Sequence, residues 1–210
     1  MPNRNRRFDR PRNFVYTVNM SQLQGRILSC ALDLYLEKGI HGLSMRQIAA
    51  KLDISATAIY RHYRNKQELV DTIVAEAVKI FAGYLFSALS GQTAEERFRM
   101  CNQAYLDFAL GQEKYYEVIF LEPHGQGADA PEESQQKGLA NFQFLVDRVQ
   151  ECVDSGYLRK ANPRSLALSI WAHNLGLMAL FFSGKWAMDE AAFRKFYWES
   201  QERFLHGLCD

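Results

Sequence analysis

The sequence has few of the residues that mark disulfide-rich or metal-binding proteins. Its four cysteines lie far apart and none forms a C-x-x-C pair: Cys30, Cys101, Cys152 and Cys209. This spacing argues against a disulfide framework and a zinc site, and it predicts that the protein needs no metal and no cofactor. The first residues are rich in arginine and lack the apolar stretch of a secretion signal, so we expect a cytoplasmic location.

Sequence motifs of common catalytic sites are also absent. The chain contains no H-E-x-x-H, no nucleophile elbow and no phosphate-binding glycine loop. The histidines at 124, 173 and 206 have no plausible catalytic partners near them in the sequence, and only the fold could bring partners to them. We therefore expect a protein that is not an enzyme.

Long apolar runs are rare, and the longest one covers residues 166–182. It has 17 residues and includes Ser169, His173 and Asn174. A helix that spans a membrane usually needs about 20 mostly apolar residues. The run is therefore predicted to be a buried helix at a subunit interface or a ligand cavity, and no membrane partner is expected.

The formal net charge of +1 conceals opposite charges in two parts of the chain. Residues 1–66 carry a net charge of +8, and residues 67–210 carry −7. A basic head on an acidic body predicts that the head binds a polyanion. Residues 1–20 supply +4 of this excess as an arm without helical periodicity, predicted to be flexible. Two interpretations of the arm stay open: translation starts at Met20, or the arginines of the arm contact DNA phosphates or the minor groove.

Beyond residue 20, apolar residues recur at helical spacing almost everywhere, and no strand pattern competes. The sequence predicts an all-α fold of about nine helices, over residues 21–39, 44–52, 55–62, 66–89, 93–110, 112–121, 132–154, 162–182 and 189–208. Residues 122–131 form the one predicted long loop. The predicted domains are a three-helix head at 21–66 and a helical body at 67–210. The long fourth helix joins the head to the body.

Residues 44–63 have the pattern of a helix-turn-helix, with Leu52, Asp53 and Ile54 as the turn. In this motif the second helix lies in the major groove and the first crosses the DNA backbone. Small or polar residues at the start of the second helix allow close approach to the bases, and aromatic and basic residues one turn later reach phosphates or bases. Tyr63, in line with Ile59, is predicted to be a core residue. The predicted DNA-contacting residues are Ser44, Arg46, Ser55, Ala56, Thr57, Ala58, Tyr60, Arg61, His62 and Lys66.

The run ILSCALDLYLEKGIHGLSMRQIAAKLDISATAIYRHYRNKQELVDTI resembles the amino-terminal domain of the TetR family of transcriptional regulators. The resemblance lies in E-K-G at the end of the first helix, S-M-R-x-I-A, I-S-x-x-x-I-Y-R-H-Y and N-K-x-x-L. It implies that Ser44, Tyr60 and Lys66 contact phosphates. It also implies that four side chains face the DNA groove or its edges: Arg46, Ala56, Thr57 and His62.

Two residues depart from the family pattern. Ala58 stands where members often have threonine, which removes a hydroxyl and leaves an apolar contact, such as one to a thymine methyl. Asp53 stands in the turn where members usually have glycine. Because aspartate tolerates the left-handed backbone conformation better than most residues, the turn is expected to survive.

The resemblance implies a body that dimerises through its last two helices and holds a small-molecule pocket. The run 166–182 is apolar on two faces: Leu166, Ile170, His173, Leu177 and Phe181 on one, and Trp171, Asn174, Leu175, Met178 and Phe182 on another. A helix that is apolar nearly all round must be covered on all sides, which predicts a partner subunit on one side and the pocket on the other.

The predicted pocket residues are aromatic side chains with a few polar groups. They are Tyr105, Phe108, Tyr115, Tyr116, Phe120, Phe142, Trp171, Asn174 and Met178. The same residues also fit an ordinary hydrophobic core, and this alternative stays open. The many rings and the few basic residues among them favour an apolar or aromatic ligand over a strongly anionic one.

These features predict a homodimeric, ligand-responsive regulator, a repressor that a small apolar or aromatic effector releases from a palindromic DNA operator. Two alternatives use the same head. One is a DNA-binding or architectural protein that does not respond to a ligand, and the other is a transcriptional activator.

Overall fold

The computed structural model describes residues 22–121 and 132–207, and within these ranges the chain is helical without strands. The helices are α1 Gln22–Gly42, α2 Met45–Leu52, α3 Ala56–Tyr60, α4 Lys66–Leu85, α5 Ala94–Gly111, α6 Glu113–Tyr116, α7 Glu132–Asp154, α8 Pro163–Phe182 and α9 Glu190–His206. A 3-10 turn (Phe86–Ser90) follows α4, and a π turn (Glu117–Leu121) follows α6. The prediction of an all-α fold is confirmed. The predicted arm at 1–20 and loop at 122–131 lie outside the described residues, as does Cys209.

Most of the helices begin at a polar residue whose side chain replaces a missing backbone partner. Thr93 and Glu96 form a reciprocal capping box at the start of α5. The side chains that accept a hydrogen bond from the first turn of α3, α4, α8 and α9 are Ser55, Asn65, Asn162 and Asp189. These caps explain why the starts of the body helices follow from local sequence.

The first helix of the helix-turn-helix begins differently. Ser44 has the extended backbone of an N-cap residue, but its side chain forms no capping hydrogen bond. The first backbone N–H groups of α2 therefore do not donate to the Ser44 hydroxyl.

Two residues with positive φ shape the chain of the head. Gly39 (φ 66°) interrupts α1 at the residue where the sequence predicts its end. Asp53 (φ 53°, ψ 49°) ends α2 in the left-handed conformation, and its backbone N–H donates to the carbonyls of Ala49 and Ala50. The expectation that aspartate supports this turn is confirmed.

The head has a small core in which α3 has a single buried residue. Ile59 is fully buried, and it joins Ile48 of α2 and Leu69 of α4 in the main hydrophobic cluster. Tyr63, just beyond α3, is 2% exposed, which confirms that it is a core residue. The attachment of α3 therefore depends on Ile59 and on the chain that follows it.

The body is built around α4 and α5, with α7 and α8 packed beside them. By length and composition alone, residues 66–90 and 163–182 are long and apolar enough to cross a membrane. Both segments contribute buried residues to the hydrophobic clusters of the fold, as core helices of a globular protein do.

The α8 helix has three apolar faces rather than the two that the sequence indicated. The face with His173 and Phe181 packs within the subunit on α9, where His173 stacks on Phe204 and Phe181 on Phe193. The face with Trp171 turns toward the interior of the body. A third face is exposed and carries small or apolar side chains at Leu168, Ala172, Gly176, Ala179 and Leu180.

Candidate DNA-binding surface and effector cavity

The predicted DNA-contacting residues lie at the surface of the head, around the short helix α3. Tyr60 is 53% exposed although it is aromatic, because Ile59 takes the buried side of the helix. The exposed members of the predicted set are Arg46, Ser55, Thr57, Tyr60 and Arg61, and the half-buried ones are Ser44, Ala56, Ala58, His62 and Lys66. None of the ten is buried in the core.

Two of these residues sit at helix amino termini. The Ser55 hydroxyl accepts a hydrogen bond from the backbone N–H of Ala58 at 3.2 Å, so it also caps α3. Lys66 is the first residue of α4, next to the capping Asn65. A helix amino terminus favours an anion, and a lysine beside it adds a full positive charge.

This surface carries basic side chains without an acidic partner among the described residues, whereas two arginines of the body are paired. Within the described ranges, Arg46, Arg61 and Lys66 form no ion pair. In the body, Arg97 pairs with Glu151 (2.7 Å) and Arg194 with Asp107 (2.6 Å). The head therefore presents uncompensated positive charge to solvent, which is the electrostatic requirement for binding a polyanion.

A cavity lies inside the body between α4, α5, α7 and α8 and the π turn after α6. The space between these elements, counted together with the solvent at its open side, is about 610 Å³. The lining residues are Val78, Phe81, Leu85, Cys101, Asn102, Tyr105, Ile119, Phe120, Asn141, Phe142, Leu145, Trp171 and Asn174.

Only part of this wall consists of residues that the sequence predicted. Tyr105, Phe120, Phe142, Trp171 and Asn174 line the cavity, as predicted. The other predicted residues do not line it: Phe108, Tyr115, Tyr116 and Met178. Of these, Phe108, Tyr116 and Met178 are fully buried in the core, because their side chains fill the space between helices rather than face the opening.

The residues that sequence analysis missed come mainly from α4, α5 and α7. Val78, Phe81 and Leu85 fit the apolar period of α4 and carry no signal that separates a cavity wall from a core. Asn102 did carry one, because it is a polar residue three positions before Tyr105 on an otherwise apolar face of α5. An amide on a buried face is a marker that sequence analysis can use.

The lining is uncharged and poorly solvated. Among the described residues that line the cavity, none is acidic or basic. Burial raises the pKa of the Cys101 thiol to about 12, with the charge of Arg148 acting in the opposite direction. Burial also raises the pKa of Tyr105, whose hydroxyl shares a hydrogen bond of 2.7 Å with that of Tyr116. A charged ligand group would meet the same desolvation cost.

The polar groups of the wall form a chain of amides that leads to α9. Asn174 of α8 donates through Nδ2 to Oδ1 of Asn102 on α5, at 2.9 Å. Gln201 of α9 donates through Nε2 to Oδ1 of Asn174. Asn102 and Asn174 are 3% exposed and Gln201 is 1% exposed. The chain thus connects the cavity wall to the last helix.

Comparison with known proteins matches both parts of the chain. The family model described as bacterial regulatory proteins, tetR family, matches residues 27–73. A second model, described as a tetracyclin repressor-like C-terminal domain, matches residues 98–201. The first match contains the helix-turn-helix, and the second runs from the first turns of α5 to most of α9.

Two curated relatives are transcriptional regulators with opposite effects, one named an activator and the other a repressor. The transcriptional activator FasR of Mycolicibacterium smegmatis is 27% identical over 98 residues, 46% of this chain and 45% of that protein. The transcriptional repressor KstR2 of Mycobacterium tuberculosis is 23% identical over 142 residues, 65% of this chain and 69% of that one. The chain thus spans less than half the length of FasR.

A solved structure extends the comparison to nearly the whole fold. The transcriptional regulator FadR from Bacillus subtilis, in complex with stearoyl-CoA, superposes with a TM-score of 0.70 over 88% of this chain and 98% of that one. At 14% identity this likeness shows the fold alone. With a matching head, a matching body and the same helical architecture, the chain belongs to the TetR family of bacterial regulatory proteins.

Proposed function

We propose that the protein is a homodimeric transcriptional regulator that binds a palindromic DNA operator through α3 and leaves it when a small effector fills the cavity. One observation carries this proposal: α4 serves both sites. Its first residue, Lys66, belongs to the basic surface, and its later residues Val78, Phe81 and Leu85 line the cavity. A ligand that changes the position of α4 therefore acts on the DNA-binding head.

The energy that such coupling requires is modest. A coupling free energy of about 1–3 kcal/mol changes operator affinity by roughly 5- to 150-fold. The uncharged wall favours an apolar or aromatic effector, because ionised groups lose their hydration there without gaining a partner of opposite charge. The proposed domains are the head at 21–66 and the effector-binding body at 67–210.

The dimer is proposed to form through α8 and α9. The exposed face of α8 is apolar, with Leu168 53% exposed and Leu180 49% exposed. An apolar face of this kind on a long helix is typical of a subunit interface. Two copies of α8 and α9 would then form a four-helix contact, and the dyad between them would set the spacing of the two operator half-sites.

Repression is the simplest outcome of occupying a promoter, and activation is the second candidate because FasR is named an activator. Both use the same head and place the protein in the cytoplasm with its DNA. A purely architectural DNA-binding protein would have no use for the cavity.

The first test is a binding selection from random duplex DNA, with the wild type and Tyr60→Ala compared at physiological salt. We expect the wild type to recover a palindrome and the variant to lose it, because Tyr60 is an exposed aromatic side chain on the predicted recognition helix. Leu89→Ala, which removes an exposed apolar side chain far from the head, is the matched control. Recovery of no motif by the wild type would contradict sequence-specific DNA binding.

Lys66→Ala tests the phosphate contact at the start of α4. We expect weaker binding to all duplexes alike, with the slope of log affinity against log salt flattened by about one unit per subunit. The measurement is a salt titration on the selected operator and on a scrambled duplex of the same length. A loss confined to the operator would assign Lys66 to base recognition instead.

A further inference from the structure

The amide chain between the cavity and α9 has N–H hydrogens that form no hydrogen bond within the described part of the protein. Each primary amide carries two N–H hydrogens. Within the described ranges Asn102 donates one, to the carbonyl oxygen of Phe98 at 2.9 Å, and Asn174 donates one, to Asn102. One hydrogen on each of two cavity-lining amides is therefore left for a hydrogen-bond acceptor in the cavity.

At the α9 end of this amide chain, a hydrogen-bond acceptor also lacks a partner in the ranges that the structure describes. The Oε1 atom of Gln201 is buried and accepts no hydrogen bond from any described residue. Leaving a buried acceptor unpaired is unfavourable. The amide of Gln201 is thus held by Asn174 and by the Tyr197 hydroxyl of its own helix, and a change at Asn174 removes one of these two contacts.

We propose that Asn102 and Asn174 bind the carbonyl-type oxygen of an uncharged, largely apolar effector, and that Gln201 transmits this contact to α9. The inference rests on the proposed function, because it names the chemical class of the effector. A ketone, ester, lactone or amide oxygen supplies the acceptor that the two amides lack, and the aromatic wall covers the apolar remainder. Carboxylates and phosphates are disfavoured, because no described lining residue is a cation and Arg148, whose charge acts on Cys101, is already paired with Glu151.

The geometry gives this contact a direct route to the proposed subunit interface. Asn174 lies on α8, whose exposed face is proposed to meet the partner, and it is the residue to which Gln201 of α9 donates. A ligand oxygen that draws on the Asn174 amide changes the orientation available to Gln201. The effector is therefore sensed at the pair of helices that fixes the distance between the two heads.

Three small molecules of nearly the same shape test the selectivity of the full-length protein. Benzophenone has the carbonyl group, diphenylmethane has a methylene group in its place, and 4-benzoylbenzoate adds a carboxylate. Calorimetric titration is expected to show benzophenone binding about five- to tenfold tighter than diphenylmethane, the worth of one hydrogen bond, and no measurable binding of the benzoate.

Two variants separate recognition from transmission. In Asn174→Leu the preference for benzophenone over diphenylmethane should fall, because only the Asn102 amide is left to donate to the carbonyl oxygen. In Gln201→Leu the preference should remain, while the change that benzophenone causes in the backbone hydrogen exchange of α9 should disappear. Gln103→Leu is the matched control, because Gln103 also joins α5 to α9, accepting a bond from Trp198 at 3.2 Å, but does not line the cavity.

The outcomes distinguish the inference from the proposed function. Equal affinity of the wild type for benzophenone and diphenylmethane would overturn the amide contact and leave the effector cavity standing. Binding of neither uncharged molecule would overturn the effector cavity itself. Tighter binding of the benzoate would overturn the preference for uncharged ligands. The comparison of the three ligands on the wild type does not depend on any variant, so it decides the matter even if Asn174→Leu does not fold.

Discussion

Gly176→Leu is expected to convert the proposed dimer into a monomer while making the isolated helix more stable. A Cβ atom at Gly176 meets nothing within 4 Å in the single chain, and the residue lies on the exposed face of α8 between Ala172 and Leu180. Replacing a helical glycine by leucine stabilises the helix by somewhat less than about 1 kcal/mol. At a packed interface between two α8 helices the added side chain costs about 1–3 kcal/mol in each copy.

The substitution thus stabilises the helix but destabilises the proposed subunit interface. A loss of the dimer could therefore not come from a less stable helix. The dimer should weaken by roughly two orders of magnitude or more, and operator affinity should fall with it because a monomer contacts one half-site. Sedimentation velocity at micromolar concentration measures the first effect, and titration of the selected operator measures the second.

Gly25→Leu is the matched control for this substitution. Gly25 is also an exposed helical glycine with nothing within 4 Å of an added Cβ, but it lies in α1 of the head. It should leave the protein a dimer. A Gly176→Leu protein that remains a dimer would show that this face of α8 is not the subunit interface.

Ile59→Ala is expected to abolish specific DNA binding without changing the oligomeric state. Ile59 is fully buried and is the one core residue of α3. Truncating a buried isoleucine to alanine costs about 2–5 kcal/mol, and a helix of five residues has little else to hold it in place. The loss should therefore fall on the head, where α3 detaches from α2 and α4.

Hydrogen exchange resolved by peptide measures this effect, together with operator binding and sedimentation. Faster exchange should be confined to the head. The body should still hold the two subunits together. Leu89→Ala again serves as the control, because it deletes the same kind of side chain from a position that is 54% exposed. Wild-type operator affinity for Ile59→Ala would show that Tyr63 and the following chain hold α3 without it.

The head and the starts of the helices could be predicted from the sequence because they depend on residues close together in the chain. The capping box at Thr93 and Glu96 spans four residues, and the left-handed turn at Asp53 depends on one. The apolar period of each helix gives its buried side directly. Local signals of this kind also placed Tyr60 on the surface and Tyr63 in the core.

The cavity could be predicted only in part, because its wall depends on how distant segments meet. Asn102 and Asn174 are 72 residues apart, and the amide chain continues another 27 residues to Gln201. Nothing in the sequence near Phe108 or Met178 shows that these residues fill the core whereas Phe120 and Trp171 face an opening. The exposed face of α8 was missed for the same reason, since an apolar residue looks alike in sequence whichever neighbour covers it.

The continuity of α4 has a geometric consequence for the whole regulator. A helix of 20 residues is about 30 Å long. If its far end pivots at the cavity by about 5°, the end at Lys66 sweeps through about 2.5 Å, and two subunits related by a dyad double the change in separation to about 5 Å. This is comparable with the rise of one to two base pairs along the duplex axis (about 3.4 Å each). A rotation of about 5° around a bound molecule is thus enough to put two recognition helices out of step with the turns of B-form DNA.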